Sequence, residues 1–144
     1  MVNNAHDDYV IFIPKGATLF DLTATNIVGR YPGKSGLNML LHLVNKVSRL
    51  VQPSVIMIDQ AEKTFLKKVP KTDKTDPKRL KKDLPKLVKN LSPEDRVILL
   101  GTSRCPWECD QKGLIQTYQK MIHLPKPDYA YRYTLLKVIK IHPS

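Results

Sequence analysis

Two short, uninterrupted apolar runs constrain the fold of this chain more than any other feature of its sequence. Residues 54–58 read SVIMI and residues 96–100 read RVILL, and neither run alternates apolar with polar side chains. A strand that is apolar on both sides needs cover on both faces, as the strands of a parallel sheet have. The two runs therefore predict buried strands of a parallel sheet.

Helical periodicity surrounds these two runs. Between residues 37 and 51, leucines and valines recur three and four positions apart, which is typical of a helix with one buried face. Ser35 is placed to be the N-cap of this helix. A second apolar series predicts a helix over 77–91, with Asp76 as its N-cap, a proline in the first turn, and a kink at Pro85.

The remaining segments complete an alternation of strands and helices. Apolar runs predict strands at 9–13 and 17–22 and a short strand at 122–124. Weak helical periodicity covers 113–121, and Asp128 is placed to cap a last helix. The alternation predicts an α/β fold, a three-layer parallel sheet with helices on both faces. One domain is the number expected for 144 residues.

A strongly basic segment carries most of the net charge of +11. Between residues 63 and 89 there are eleven lysines and arginines against three aspartates, so this segment holds eight of the eleven excess charges. Such a segment attracts polyanions, which include nucleic acid, membrane surfaces and acidic protein tails. A solvated loop and helix face is the alternative. The candidate interaction patch consists of Lys67, Lys68, Lys71, Lys78, Arg79, Lys81 and Lys82.

The cysteines and apolar runs exclude several other classes of protein. Cys105 and Cys109 are the only cysteines, and two cysteines cannot complete the four-ligand site of structural zinc. We expect two unpaired, partly buried thiols. No apolar run approaches the roughly 20 residues needed to cross a bilayer, and no secretory signal is visible. We therefore expect a soluble, intracellular chain without membrane contact.

Residues 29–36, GRYPGKSG, are similar to a phosphate-binding loop but depart from its pattern. A Walker A loop has four residues between its first glycine and Gly-Lys-Ser/Thr, so that consecutive N–H groups surround the phosphates. Here the spacer has three residues, and one of them, Pro32, has no N–H. A shortened loop that uses Lys34 and Ser35 stays open as a weak alternative for nucleotide binding.

Three stretches, taken in order, resemble the AAA+ ATPase core. PSVIMIDQAEK (53–63) resembles its Walker B strand, and VILLGTSRCP (97–106) resembles its sensor-1 strand and loop. IHLPKPDYAYRYTLLKVI (122–139) resembles the end of its large subdomain. The resemblance implies a P-loop-NTPase-like sheet in which the first strand and the P-loop are truncated.

The same resemblance implies a domain organisation and a second identity for the glycine-rich loop. Residues 1–144 would form one AAA+-like core, with 1–15 as an atypical N-terminal segment and 128–144 as the start of the lid helix. The loop matches the family's pore loop, whose pattern is basic, aromatic, aliphatic and glycine; an ordinary exposed loop tyrosine is the alternative. The matching residues are Arg30, Tyr31, Pro32 and Gly33.

Most of the residues that hydrolyse nucleotide in this family are missing here, including any Walker A sequence. By resemblance, Asp59 occupies the Walker B position that binds magnesium, although such a carboxylate more often caps a helix. Gln60 stands where the catalytic glutamate belongs, and an amide cannot act as a base. Arg104 replaces the sensor-1 asparagine, and Lys120 replaces an arginine finger. The family implies ATP and magnesium; for this chain we expect no cofactor and no intact catalytic set.

Four shorter stretches resemble, more narrowly, the IQ-motif and AAA-domain proteins of the axonemal nexin–dynein regulatory complex: LFDLT, YPGK, DPKRLKKDLPK and PKPDYA. The resemblance implies a structural scaffold in the cytoskeleton of cilia or flagella, with protein partners that include acidic tubulin surfaces. Two alternatives stay open, an ATPase whose nucleotide site is completed elsewhere and a nucleic-acid-binding module. Against the latter, the basic segment offers one aromatic side chain, Phe65, for base stacking.

Overall fold

Three parallel strands form the sheet of the protein, whose computed structural model describes residues 15–126 and 128–141. The strands are β1 (Thr18–Asp21), β2 (Ser54–Ile58) and β3 (Val97–Gly101), in the order β1-β2-β3. The strands predicted at 17–22, 54–58 and 96–100 are thus confirmed. The strand predicted at 9–13 lies outside the described residues.

The core lies on one face of this sheet, beneath the central strand. Ile56 and Ile58 of β2 are 0% and 2% exposed, and Ile56 is flanked in register by Phe20 and Leu99. Alternate residues of a strand point to opposite faces, so these three side chains form one row. All three belong to or pack against the hydrophobic core, which explains why the central strand is apolar.

The opposite face of the sheet is less covered. Val55 is 8% exposed, but its neighbours in register, Leu19 and Ile98, are 45% and 57% exposed. The parallel pairing of all three strands confirms the predicted parallel sheet and the α/β class. Part of the second face of this sheet is exposed to solvent in the described residues. An apolar strand shows that its faces favour cover, but it does not show which segment supplies that cover.

Six α-helices and two short 3₁₀ helices surround the sheet in the described part of the chain. The 3₁₀ helices span Pro77–Leu80 and Pro106–Glu108. The α-helices are α1 (Ala24–Ile27), α2 (Gly33–Leu50), α3 (Ala61–Thr64), α4 (Leu84–Lys89), α5 (Gln111–Thr117) and α6 (Tyr129–Ile141). None of these helices is long and apolar enough to span a membrane.

Helix α2 confirms the predicted buried face but begins earlier than predicted. Its buried side chains include Leu37, Leu40, Leu41 and Val44. The N-cap position is occupied by Pro32 rather than Ser35, which lies exposed inside the first turn. The chain enters the helix through a glycine with positive φ, so the start is set by the backbone of the preceding loop and not by a capping hydroxyl.

The helix predicted over 77–91 is divided into two pieces. A 3₁₀ helix at Pro77–Leu80 is followed by α4, and Pro85 lies in the first turn of α4 instead of kinking a continuous helix. A proline has no N–H to donate to the carbonyl four residues earlier, which explains the break. Asp76 precedes the first piece as predicted, but its side chain makes no capping hydrogen bond.

The C-terminal part of the described chain differs in one element from the prediction. Residues 122–124 do not form a strand, and Ile122 and Leu124 are 74% and 67% exposed. An isolated apolar run without a pairing strand has no partner for its backbone groups. The predicted cap of the last helix is confirmed, since the Tyr131 N–H donates to Asp128 Oδ1 at 2.7 Å.

We expect the buried row of the sheet to dominate its stability. Ile56→Ala should lower the free energy of unfolding by about 2–5 kcal/mol, because it leaves a cavity at a fully buried position. The same change at the half-exposed Ile98 is the control and should cost less than about 1 kcal/mol. Urea denaturation measures both. Equal losses would contradict a core confined to the Ile56 face.

Candidate functional site

A polar residue follows each strand at the carboxyl edge of the sheet. Thr23, Asp59 and Thr102 come after β1, β2 and β3, and the carboxyl ends of parallel strands meet at one edge. The Asp59 N–H donates to Thr23 Oγ1 at 3.0 Å. The Thr102 hydroxyl donates to Asp59 Oδ1 at 2.5 Å. These side chains therefore link all three strands where a nucleotide site would be expected.

The carboxylate of Asp59 also holds the chain that follows it. Its Oδ1 accepts a second hydrogen bond, from the Gln60 N–H at 2.8 Å. The Ala61 N–H in turn donates to the Thr102 carbonyl at 2.8 Å. Asp59 thus acts as a structural acceptor at the turn into α3. The N-cap of α3 is Gln60, so Asp59 holds the turn before this helix and does not cap the helix itself.

Gln60 occupies the left-handed region of backbone space, with φ of 52° and ψ of 48°. A non-glycine residue in this conformation is uncommon and turns the chain sharply. The turn carries Glu62 into the interior, where it is 7% exposed and its Oε2 has no hydrogen-bond partner among the described residues. The one glutamate near the Walker B position is therefore withdrawn from the surface.

A shallow pocket lies beside Asp59, and the glycine-rich loop does not contribute to it. None of residues 29–35 lines this pocket, so Lys34 and Ser35 are not brought to the carboxylate through it. The lining residues are Thr23, Ala24, Thr25, Ile58, Asp59, Gln60, Lys63, Thr64, Thr75 and Pro77. Asp59 Oδ1 already accepts two hydrogen bonds, and no glycine-rich loop of the described residues lines this pocket.

The glycine-rich loop, residues 29–35, connects α1 to α2 and includes the first three residues of α2. A P-loop joins a buried strand to a helix, whereas this loop follows α1 and leads into α2. All of its residues are exposed, including Tyr31 at 39%. Tyr31 has φ of 54° and lies between Gly29 and Gly33, which also have positive φ. The loop is therefore a surface turn that presents Arg30, Tyr31 and Lys34.

The predicted basic patch divides into two groups. Lys67, Lys68, Lys71 and Lys82 are exposed. The other three cations are partly buried and bound to the protein itself. Lys78 Nζ donates to the Lys67 carbonyl at 2.7 Å, and Arg79 donates to carbonyls of α1 and of the loop.

Lys81, the third partly buried cation, lies 3.3 Å from Asp110 Oδ2. This hydrogen bond holds the pKa of the Asp110 carboxyl below its ordinary value. The position of Lys81 therefore joins the basic segment to the N-terminus of α5.

The remaining predicted positions differ in their exposure. Arg104 and Lys120 are both exposed. The Cys109 thiol is buried and donates to the Pro106 carbonyl, and its burial raises its pKa. No group of three or more His, Cys, Asp or Glu side chains in the described ranges is arranged to hold a metal ion.

Sequence reasoning located Asp59 but missed the roles of Thr23, Thr102 and Arg79. The two threonines carry a detectable signal, because each is a polar residue that comes at the end of an apolar strand. The role of Arg79 depends on contacts with residues 48 and 52 positions earlier, and nothing in the local sequence indicates it.

Comparisons with known proteins agree with the resemblance in the sequence. The chain is 52% identical over 126 residues to dynein regulatory complex protein 11 of Mus musculus. The aligned region covers 87% of this chain and 15% of that protein. It is 30% identical over 125 residues to spastin of Naegleria gruberi, covering 84% of this chain and 23% of that protein. No protein-family model matches the chain.

Solved structures show the same fold. The crystal structure of the FIGL-1 AAA domain in complex with ADP matches with a TM-score of 0.56 and 21% identity, over 85% of this chain and 39% of that one. The FIGL-1 AAA domain alone matches with a TM-score of 0.58, also at 21% identity, over 84% of this chain and 38% of that one. The chain spans between 15% and 23% of the length of the two relatives above.

We expect Asp59 to act as a structural acceptor. Asp59→Ala should lower the free energy of unfolding by about 1.5–3 kcal/mol, because it leaves the Thr102 hydroxyl and the Gln60 N–H without their charged acceptor. Asp59→Asn keeps an acceptor oxygen and should cost less. Urea denaturation without magnesium measures both variants. A carboxylate kept only for a metal would leave Asp59→Ala as stable as the unchanged chain.

Proposed function

The chain has the core fold of an AAA+ domain, and we propose that this core serves as a structural scaffold of the ciliary axoneme and not as an ATPase. The single observation that carries the proposal is that the residues at the nucleotide position are used to hold the fold. Asp59 accepts from Thr102 and Gln60, while the loop that most resembles a phosphate cradle lies between two helices.

The chemistry of hydrolysis supports the same proposal. Phosphoryl transfer needs a phosphate cradle, a magnesium ligand and a residue that positions the attacking water. Gln60 cannot accept a proton from water, and a lost general base typically lowers the rate by about 10²- to 10⁴-fold. Glu62, two residues on, is buried with α3. An AAA+ core with Gln60 and a buried Glu62 at these positions keeps the fold, which can contact other proteins, but lacks the base that activates water for ATP hydrolysis.

The mouse relative, which is 52% identical to this chain, supports a location in the axoneme. Dynein regulatory complex protein 11 of mouse is named for the complex to which it belongs, and it is similar to 87% of this chain. We propose that the chain belongs to the same complex in cilia or flagella and binds protein partners there. The chain spans 15% of the length of that relative, so the proposal concerns the part of the relative that this chain matches.

The basic segment is proposed to contact an acidic protein surface, such as the acidic tails of tubulin. Its exposed lysines, which include Lys67, Lys68, Lys71 and Lys82 of the predicted patch, supply the positive charge. Binding of single-stranded nucleic acid would need exposed aromatic side chains for base stacking. Phe65, the aromatic residue of the segment, is 1% exposed and belongs to the core. The segment therefore favours an acidic protein over a nucleic acid.

We expect no tight binding of nucleotide. Isothermal titration of the chain with ATP and magnesium should give no saturable heat with a Kd in the micromolar range, because no glycine-rich loop of residues 15–126 lines the pocket beside Asp59 with N–H groups for a triphosphate. Lys34→Ala is the matched control and should behave like the unchanged chain. Micromolar binding that is lost in Lys34→Ala would contradict the proposal and favour the shortened phosphate loop.

Microtubule binding should depend on the exposed lysines of the basic segment. Changing Lys67, Lys68, Lys71 and Lys82 to glutamine should weaken co-sedimentation with microtubules by roughly fourfold or more, since each surface ion pair contributes roughly 0.2–1 kcal/mol. The control carries the same change at four exposed lysines outside the segment: Lys46, Lys112, Lys120 and Lys126. The proposed tubulin contact fails if both variants lose binding equally or if neither does.

A further inference from the structure

We infer that the solvent-facing side of α2 is a docking site for an amphipathic helix of another protein, one that carries acidic residues beside its own apolar face. The site consists of Met39, Leu43, Val47 and Leu50, which are called the outer stripe here. None of these residues belongs to the basic segment or lines the pocket beside Asp59. The inference therefore goes beyond the proposed contact of the basic segment and does not depend on it.

The outer stripe is apolar and exposed. Met39 and Leu50 are 62% and 77% exposed, and Leu43 and Val47 are 42% and 38% exposed. A different face of α2 already packs against β1 and β2 and belongs to the hydrophobic core. A helix with one neighbouring layer needs one apolar face. The second apolar row of α2 therefore favours a second neighbour.

The spacing of the outer stripe is typical of a contact between two packed helices. Its four members follow one another at intervals of four, four and three positions, so they form one row along the helix. At a rise of 1.5 Å per residue this row is about 16 Å long. Rows of this kind fit between the rows of a second helix, both in ridge-and-groove packing and in coiled coils. The spacing thus favours a helix over an extended strand as the occupant.

The charge beside the outer stripe is positive. Lys46 is exposed and lies three positions after Leu43 and four before Leu50, so it borders the stripe on the helix surface. Residues 33–50 contain no aspartate or glutamate. The nearby Arg49 is already paired, since its Nε lies 3.1 Å from Asp95 Oδ2. A partner helix with glutamate or aspartate beside its apolar face would complement Lys46.

The same charges argue against a second copy of this chain as the occupant. Two α2 helices that met through their outer stripes would bring cations together in either orientation, because residues 33–50 offer no acidic side chain to pair with Lys46. Like charges that face each other across an interface weaken it. The net charge of +11 adds repulsion between whole copies. A helix with acidic flanks removes both penalties.

An anionic membrane also combines apolar contact with negative charge. A helix that lies in a membrane interface inserts a broad apolar face between the lipids. In α2 the broad apolar face packs against the sheet, and the outer stripe is a single row. This division of the two faces favours a helix over a bilayer as the occupant.

Fluorescence anisotropy with a labelled peptide tests the docking site on the full chain. The probe is an amphipathic peptide of about three heptads, with leucine at a and d and glutamate at e and g, whose like charges hinder pairing with itself. Changing Leu43 and Leu50 together to glutamine should weaken its binding by about tenfold or more, because both side chains lose apolar burial. The matched control carries the same change at Ile115 and Ile122, which are 57% and 74% exposed outside α2, and should bind like the unchanged chain.

Two further measurements show whether a loss of binding is specific. Circular dichroism checks that the variant with glutamine at 43 and 50 remains folded. A scrambled peptide of the same composition should bind more weakly than the heptad peptide, because its leucines no longer form one row. Equal binding of the two peptides would overturn a helix as the occupant.

A charge reversal separates the outer stripe from general attraction between an acidic peptide and a basic chain. Lys46→Glu should weaken binding of the glutamate peptide several-fold, and it should bind a peptide with lysine at e and g more tightly than the unchanged chain does. Changing the four exposed lysines of the predicted patch to glutamine should leave this pattern in place. A loss of binding in that four-lysine variant, with binding intact in the variant at 43 and 50, would overturn the inference.

Three other results would assign the outer stripe to a different occupant and overturn the inference. Sedimentation equilibrium that shows a dimer, lost in the variant with glutamine at 43 and 50, would assign it to a second copy. Tighter peptide binding in Phe12→Glu would assign it to residues 1–14 of the same chain. Binding to vesicles of anionic phospholipid that the variant at 43 and 50 loses would assign it to a membrane.

The outcome for the outer stripe is distinguishable from the outcome for the proposed function. If the unchanged chain does not bind the heptad peptide, the inference is overturned, while microtubule co-sedimentation that depends on the basic segment still supports the proposed contact. If peptide binding follows Leu43, Leu50 and Lys46 but microtubule binding is absent, the docking site stands and the tubulin contact is refuted.

Discussion

The hydrogen bonds of Asp59 are the constraint on which the rest of this structure depends. Through its backbone N–H and its carboxylate, this residue joins Thr23 after β1 to Thr102 after β3. The three connections that leave the carboxyl edge of the sheet begin at these residues. Helix α1 and the glycine-rich loop follow Thr23. Helix α3 and the basic segment follow Asp59, and the loop before α5 follows Thr102. Hydrogen bonds to a charged acceptor contribute more to the stability of the fold than hydrogen bonds to a neutral one. The two donors of the Asp59 carboxylate therefore give this side chain a structural role that needs no metal.

The glycine-rich loop, residues 29–35, and the basic segment both follow strands that end at this edge, and Arg79 joins them. Arg79 lies beyond α3 in sequence but returns to the carbonyls of Ile27 and Tyr31. The two exposed features of the surface, a tyrosine loop and a lysine-rich segment, are therefore coupled by one guanidinium. A contact surface of this kind needs a fixed shape and positive charge, and it needs no nucleotide. That combination is what the proposed scaffold role requires.

The sequence predicts the elements of this fold better than their ends. Uninterrupted apolar runs located β2 and β3, and three-and-four spacing located the buried face of α2, because both signals reflect burial directly. The start of α2 was wrong, since it depends on the approach of Tyr31 to Gly36 and not on a local cap. The strand expected at 122–124 failed because strand formation needs a pairing partner that a local pattern cannot specify.

The candidate site was predictable only in part. A carboxylate after an apolar strand was visible, and so was the glutamine beside it. Whether that carboxylate binds a metal or holds the fold depends on the register of three strands, which sets Thr23 and Thr102 beside it. The even spread of lysine and arginine over the basic segment likewise concealed that Lys78, Arg79 and Lys81 bind other parts of the chain.

Backbone amide NMR of the ¹⁵N-labelled chain tests the central claim most directly, because it observes both surfaces in one sample. Titration with magnesium and ATP should leave the amides of Asp59, Gln60 and Ala61 unchanged, while a glutamate-rich peptide should shift amides of the basic segment. Saturable shifts at residues 59–61 on adding nucleotide, together with shifts at Lys34 and Ser35, would contradict the account.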